Sequence, residues 1–161
     1  MQITIIAAGE KMPSWVYECC KDYLQRLPRP FNVRQLEIPL EKRSANQSVE
    51  KTRQRETERL LKAVPANDWL VVLDERGKSF TTRAFAQQLG QWREQQRNLS
   101  FVIGGPDGID FGCELPDRKQ WPDFRWSLSP LTFPHPLVRV LLAEQIYRGW
   151  SVLAGHPYHR E

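Results

Sequence analysis

Short apolar runs alternate along this chain with longer stretches whose apolar residues recur at helical spacing. That alternation limits the fold more than any other feature. Residues 3–8 are almost wholly apolar and end at Gly9, which suits a strand buried on both faces. Residues 69–73 and 99–103 are of the same kind and end at Asp74 and Gly104. Between the first two of these, Trp15, Val16, Cys19, Cys20, Tyr23, Leu24 and Leu27 fall on one helical face, and Pro28 stops the run. Residues 31–38 read as a strand closed by Pro39. Residues 41–63 read as a polar helix buried only near its end, at Leu60, Leu61 and Val64. Phe85, Leu89 and Trp92 form the inner stripe of a helix over residues 82–96, with Thr82 as its N-cap. Residues 126–128 read as a short last strand. The last helix starts at Pro136, a good first helical residue, and Gly155 ends it. Strands alternating with helices predict an α/β fold, with a largely parallel sheet flanked by helices, in one domain over residues 1–161.

Composition narrows the class. Hydrophobic residues make up 40% and charged residues 26%, a globular balance. No apolar run reaches the roughly 20 residues of a membrane helix. Residues 1–8 lack a basic leader and a long apolar core, so neither a signal peptide nor membrane association is expected. The three cysteines, Cys19, Cys20 and Cys113, form no disulfide framework and no metal-ligand spacing. That fits a cytoplasmic protein without metal. The net charge is +4, and residues 41–62 hold seven basic residues against four acids. Such a cluster either tracks a phosphate backbone or is a solvated helix face laced with Glu/Arg pairs.

Ligands of open α/β sheets bind beyond the carboxyl ends of strands, and three such ends carry unusual sequence. One is Leu73-Asp74-Glu75-Arg76-Gly77-Lys78. The next is Ile103-Gly104-Gly105-Pro106-Asp107-Gly108, whose glycines let backbone approach a ligand, or simply make a sharp turn. The last joins strand to helix through residues 128–136, a stiff run holding three prolines, with His135 between two of them. No GxGxxG and no GxxxxGK[ST] is present, so neither a dinucleotide fold nor a P-loop is supported. His135 either caps the last helix or serves a site. Arg139, Glu144 and Arg148 are either surface charges or site residues. His156, Tyr158, His159 and Arg160 form a polar, aromatic tail.

These motifs resemble those of the bacterial large-subunit ribosomal RNA methyltransferase H family, within the trefoil-knotted methyltransferases called SPOUT. The matching stretches are Ala8-Gly9-Glu10-Lys11-Met12-Pro13, Leu73-Asp74 with Gly77-Lys78, and Phe101-Val102-Ile103-Gly104-Gly105-Pro106-Asp107-Gly108. Further on come Trp126-Ser127-Leu128-Ser129, Leu131-Thr132, Pro134-His135-Pro136-Leu137-Val138-Arg139 and His156-Pro157-Tyr158-His159-Arg160-Glu161. They span the chain in one order. The resemblance implies a homodimer that uses S-adenosylmethionine to methylate N3 of a pseudouridine in large-subunit ribosomal RNA, on the assembled ribosome. It implies a knotted C-terminal region, an exception to the rule that chains do not thread loops. By resemblance, cofactor contacts fall on Leu73, Gly104, Leu128, Ser129, Pro130, Leu131, Thr132 and Phe133. Two departures stand out. Pro130 replaces a small residue and removes an amide donor, and residues 113–125 are broken by Pro116 and Pro122.

A sulfonium already activates the methyl group, so the protein's task is to place the acceptor and help it lose a proton. Candidates for that role are His135, Arg139, His156, Tyr158, His159 and Arg160. The tail residues suit it if they reach a partner's cofactor pocket. The rival reading is a non-catalytic RNA-binding or ribosome-assembly domain. A nucleotide-binding hydrolase is disfavoured by the missing P-loop and the missing nucleophile constellation.

Overall fold

Strands without a polar face need cover on both sides, and the chain supplies it unequally. The computed structural model describes residues 1–115 and 120–160. Its elements run β1 (Gln2–Ala8), α1 (Ser14–Leu24), β2 (Asn32–Ile38), α2 (Val49–Lys62), β3 (Trp69–Ser79), α3 (Thr82–Glu94), β4 (Leu99–Ile103), β5 (Phe124–Ser127) and α4 (His135–Leu153). The strands form one sheet in the order β2-β1-β4-β3-β5, and each pairing between them is parallel. The expected α/β class is therefore observed.

Alternation along the strands sorts the core into two layers. Ile3, Ile5, Ala7, Val71, Leu99, Phe101 and Ile103 face Phe85, Leu89 and Trp92 of α3 and Leu142 and Ile146 of α4. Helix α1 packs beside α4 through Val16, Cys20 and Ala143. On the other face, Ile6, Ala8, Leu70, Val72 and Val102 meet Leu60 and Leu61 of α2, with Cys113. Burial pushes the Cys20 and Cys113 thiols up to about 11, so both behave as small apolar fillers.

Several boundaries differ from the sequence expectation, each for a local reason. Helix α2 starts at Val49, because the Ser48 hydroxyl accepts from Lys51 N and caps it there. Residues 41–47 are not helical. Nor is α2 buried only at its end, since Thr52, Glu56 and Thr57 are buried too. The Glu/Arg pairing expected within the helix instead crosses to the segment before it, where Arg59 and Arg55 both reach Glu41. Thr81, not Thr82, caps α3, and that helix stops at Glu94. Helix α1 ends at Leu24, leaving Leu27 to pack from outside it. Helix α4 begins at His135, and β5 ends at Ser127. Pro116 and Glu161 lie outside the described residues.

The largest difference is β3, which does not end at Leu73 but continues to Ser79. Leu73 pairs with Trp126, and the register then shifts so that Lys78 also pairs with Trp126. Residues 74–77 therefore bulge out of the ladder. A Cβ on Gly77 would lie 2.7 Å from the Arg125 carbonyl carbon and 2.8 Å from that of Trp126, so only glycine fits without moving backbone. Gly77→Ala is expected to cost about 1–3 kcal/mol, the range for overpacking a tight contact. Urea unfolding checks this, and an unchanged midpoint would mean the strands do not approach so closely.

Candidate functional site

Parallel strands all leave the sheet at one edge. β1, β4, β3 and β5 are neighbours, and the ends of β1, β4 and β5 are level with the point where β3 bulges: Ala7 pairs with Ile103, Ile103 with Leu73, and Leu73 with Trp126. A cleft of about 700 Å³ opens there, the size of a small-molecule site. It is lined by Leu73, Gly104, Leu128, Ser129, Leu131, Thr132 and Phe133, together with His135. Seven of the eight expected cofactor positions thus meet in one place. Pro130 is not among the lining residues, so its missing amide donor removes nothing from the cleft wall.

The other residues of the wall had weaker signals. Gly9 and Met12 contribute from the β1–α1 loop, Leu40 from the segment after β2, and Asp74, Glu75 and Asp107 from the bulge and the glycine turn. Gly9, Met12, Asp74 and Asp107 lie within motifs visible in the sequence, whereas Leu40 has no such signal. At Gly104 the local geometry matches the sharp-turn reading. A Cβ there would come within 2.9 Å of Ile109 Cγ1 and 3.1 Å of the Gly108 carbonyl carbon. The turn needs glycine to fold back on itself.

Charge in the cleft is one-sided. Its ionised lining residues are Asp74, Glu75 and Asp107, in a protein whose net charge is +4. Arg125 pairs with Asp74 from behind, stacking over Phe111 at 4.0 Å. Arg43 likewise pairs with Asp107. Glu75 receives the Thr132 hydroxyl at 3.2 Å, which joins the β3 bulge to the 128–133 loop. Such a wall suits a ligand with positive charge and an apolar body and repels phosphate. Among the described residues no cluster could hold a metal ion.

His135 sits at the cleft, in the first turn of α4. Its Nε2 accepts from Arg139 Nε at 2.9 Å, which occupies that nitrogen. The N-cap of α4 is Pro134, so His135 is not the cap. Arg139 is buried one turn further along α4; it does not line the cleft, but its Nη2 donates to the carbonyls of Ala8 and Gly9, which do. The tail lies elsewhere again. Tyr158 donates to Glu144 Oε1 at 3.1 Å, packs edge-on against Tyr147, and lies under the Arg148 guanidinium. His159 Nδ1 is 3.5 Å from Arg148, and His156 packs on Trp150. Arg160 hydrogen-bonds the Pro157 carbonyl. Burial, then hydrogen bonding with Tyr23, pushes the Tyr158 phenol well above its ordinary range. From Val138 to Arg148 is ten residues of helix, about 15 Å. The tail therefore does not share its own chain's cleft.

The family model described as "Predicted SPOUT methyltransferase" matches residues 1–159. The chain is 46% identical over 161 residues to the ribosomal RNA large subunit methyltransferase H of Thioalkalivibrio sulfidiphilus, covering all of both chains. It is 44% identical to the protein of that name from Hahella chejuensis, again over the full length of both. With the Coxiella burnetii protein of that name it shares 42% over 160 residues, 99% of this chain and all of the relative. The chain belongs to the SPOUT methyltransferase family.

One electrostatic consequence is directly measurable. Burial first, and then the Arg139 charge, lowers the His135 pKa from 6.5 to about 4. Between these values the unfolded chain binds a proton that the folded chain does not. Stability is thus complete above about pH 6.5 and falls as the pH drops towards 4. Replacing the ring in His135→Asn should flatten that part of the curve in urea unfolding. Equal slopes for the two proteins would assign the acid sensitivity to another group.

Proposed function

We propose that this protein methylates N3 of a pseudouridine in large-subunit ribosomal RNA, on the assembled ribosome in the cytoplasm, with S-adenosylmethionine as the methyl donor. The observation that carries this reading is the full-length identity of 42–46% to relatives named ribosomal RNA large subunit methyltransferase H. The cleft supports it independently, because an acid-lined, partly apolar wall suits a sulfonium and an amino group and would reject a polyphosphate. No described helix is long and apolar enough to cross a membrane.

Leu73, Gly104 and the 128–133 loop would hold the cofactor in a knotted C-terminal region. The bound cofactor supplies a methyl group already activated for attack. The chain's own work is to orient the acceptor nitrogen, exclude water and favour loss of its proton. His135, with Nε2 committed to Arg139, is a wall of the site rather than its base. Tyr158, His159, Arg160 and His156 supply the remaining polar chemistry. They can do so only from a second copy of the chain, so the working unit is a homodimer. An apolar surface suits that role: Trp15 and Tyr17 of α1 and Leu137 of α4 are exposed, on helices that pack together.

Three measurements test this. Ribosomal RNA from cells lacking the protein should be without the methyl mark by mass spectrometry, and added protein should restore it on intact ribosomes. A mark that persists in those cells removes the assignment. Sedimentation at micromolar concentration should give twice the 18.9 kDa chain mass; a monomer would overturn the shared site. A stop after Gly155 should leave S-adenosylhomocysteine binding intact and cut ribosome methylation by roughly a hundredfold, the scale of a misplaced reacting group. Loss of Tyr158 packing on Tyr147 should lower the melting temperature by a few degrees at most. Full-rate methylation by the shortened chain would deny the tail its role.

A further inference from the structure

A buried, heavily bonded charge stands behind the cleft rather than in it. Arg139 is 4% exposed. Its Nη2 donates to the Gly9 carbonyl at 2.6 Å and to the Ala8 carbonyl at 3.3 Å. Its Nη1 pairs with Glu37 at the end of β2, and its Nε donates to His135 Nε2 at 2.9 Å. The same Glu37 Oε1 accepts the Tyr17 hydroxyl at 2.9 Å, and that hydroxyl in turn accepts the Met12 amide at 2.9 Å. The β1–α1 loop is therefore held at both ends by one ion pair: at Gly9 through the guanidinium, and at Met12 through the carboxylate and Tyr17. Both residues line the cleft. His135, bonded to that guanidinium, lines the same cleft as the Gly104 turn on the neighbouring strand end.

We propose that Arg139, with Glu37 and Tyr17, is a positioning residue that fixes the spacing between the Gly9–Met12 wall of the cleft and the Gly104 turn. The proposal rests on the reading of this cleft as the cofactor site. A buried guanidinium costs several kcal/mol to desolvate, so it persists only where its donors are met. Here the acceptors are two carbonyls at a strand end, a carboxylate from another strand and an imidazole one helical turn away. An ion pair serving only to join α4 to β2 would need just the Glu37 contact. The other three bonds all end on residues at the cleft or next to it. Only a planar fork of donors reaches those directions at once, which an ammonium does not.

Two variants separate this role from simple fold maintenance. Arg139→Lys retains the charge beside Glu37 and loses the fork. Tyr17→Phe removes the link to Met12 at a side chain that is 40% exposed, where loss of the hydroxyl leaves the core untouched. Calorimetry with S-adenosylhomocysteine is expected to show binding weakened about tenfold in each, the scale of a small displacement of a binding wall. The melting temperature of Tyr17→Phe should stay within about 3 °C of wild type, whereas Arg139→Lys, which takes the fork of donors from buried acceptors, should melt lower. In Arg139→Lys the His135 ring resonance should also titrate at higher pH than in wild type, because Nε2 is released to take a proton. Wild-type affinity in folded Tyr17→Phe overturns the proposal, and that variant decides alone if Arg139→Lys does not fold. Absence of heat from the wild type would instead remove the cofactor reading and this inference with it.

Discussion

Parallel pairing sends every strand out of the sheet at the same edge, and the rest of this molecule follows from that constraint. With the order β2-β1-β4-β3-β5, the exits of β1, β4, β3 and β5 stand side by side. Three of them carry irregular backbone: the Gly9 loop, the Gly104–Gly108 turn, and the bulge after Leu73. A regular ladder would fill the edge with paired backbone. Here each exit turns away, and a cleft is left between them. The turns themselves are tied down: Asp110 N donates to Thr57 Oγ1 on α2 at 2.9 Å, which anchors the far side of the Gly104 turn to the second layer. The buried polar face of α2 is thus a fastening for the cleft floor.

The same edge explains the distribution of charge. Arg43 and Arg125 are each about two-fifths exposed, so their pairs with Asp107 and Asp74 contribute little to stability. Their placement behind the carboxylates matters more. Each arginine holds a carboxylate from outside the cleft, so the acid faces inward while the cation sits in solvent. A basic chain can in this way approach a polyanion and still present an acidic wall to a small cation.

Apolar periodicity made the strand cores and the cleft-forming exits legible in the sequence, because a buried parallel strand tolerates few polar residues and a turn at its end requires glycine or proline. What was not legible depends on distant partners. Asp74 to Ser79 has no strand pattern; it is extended because β5, some fifty residues later, pairs with it across a shifted register. Thr52, Glu56 and Thr57 look like solvent residues, and they are buried because the 104–110 turn lies over them. Arg139 was ambiguous between surface and site because charge gives no depth signal. The His135/Arg139 spacing of one helical turn was the single local hint, and its acceptors at Ala8, Gly9 and Glu37 lie more than a hundred residues away.

Helix α4 sets the distance over which the two ends of the C-terminal region can cooperate. Its first turn meets the cleft through His135 and Val138, while its last turns carry Tyr147, Arg148 and Trp150, against which the tail folds. Nineteen residues of helix span about 28 Å. The tail bonds back along that helix at Glu144 and Arg148 and goes no nearer to its own cleft. Within the cleft, His135 Nε2 is committed to Arg139, Asp74 and Asp107 are held in ion pairs, and Glu75 receives the Thr132 hydroxyl. The cleft is built to orient a ligand, and its own wall leaves little freedom for moving a proton. A chain with a binding site at one end of its last helix and a cluster of tyrosine, histidine and arginine at the other has separated those two tasks. In the proposed homodimer, an antiparallel meeting of two such helices would bring them together, each copy then closing the other's site.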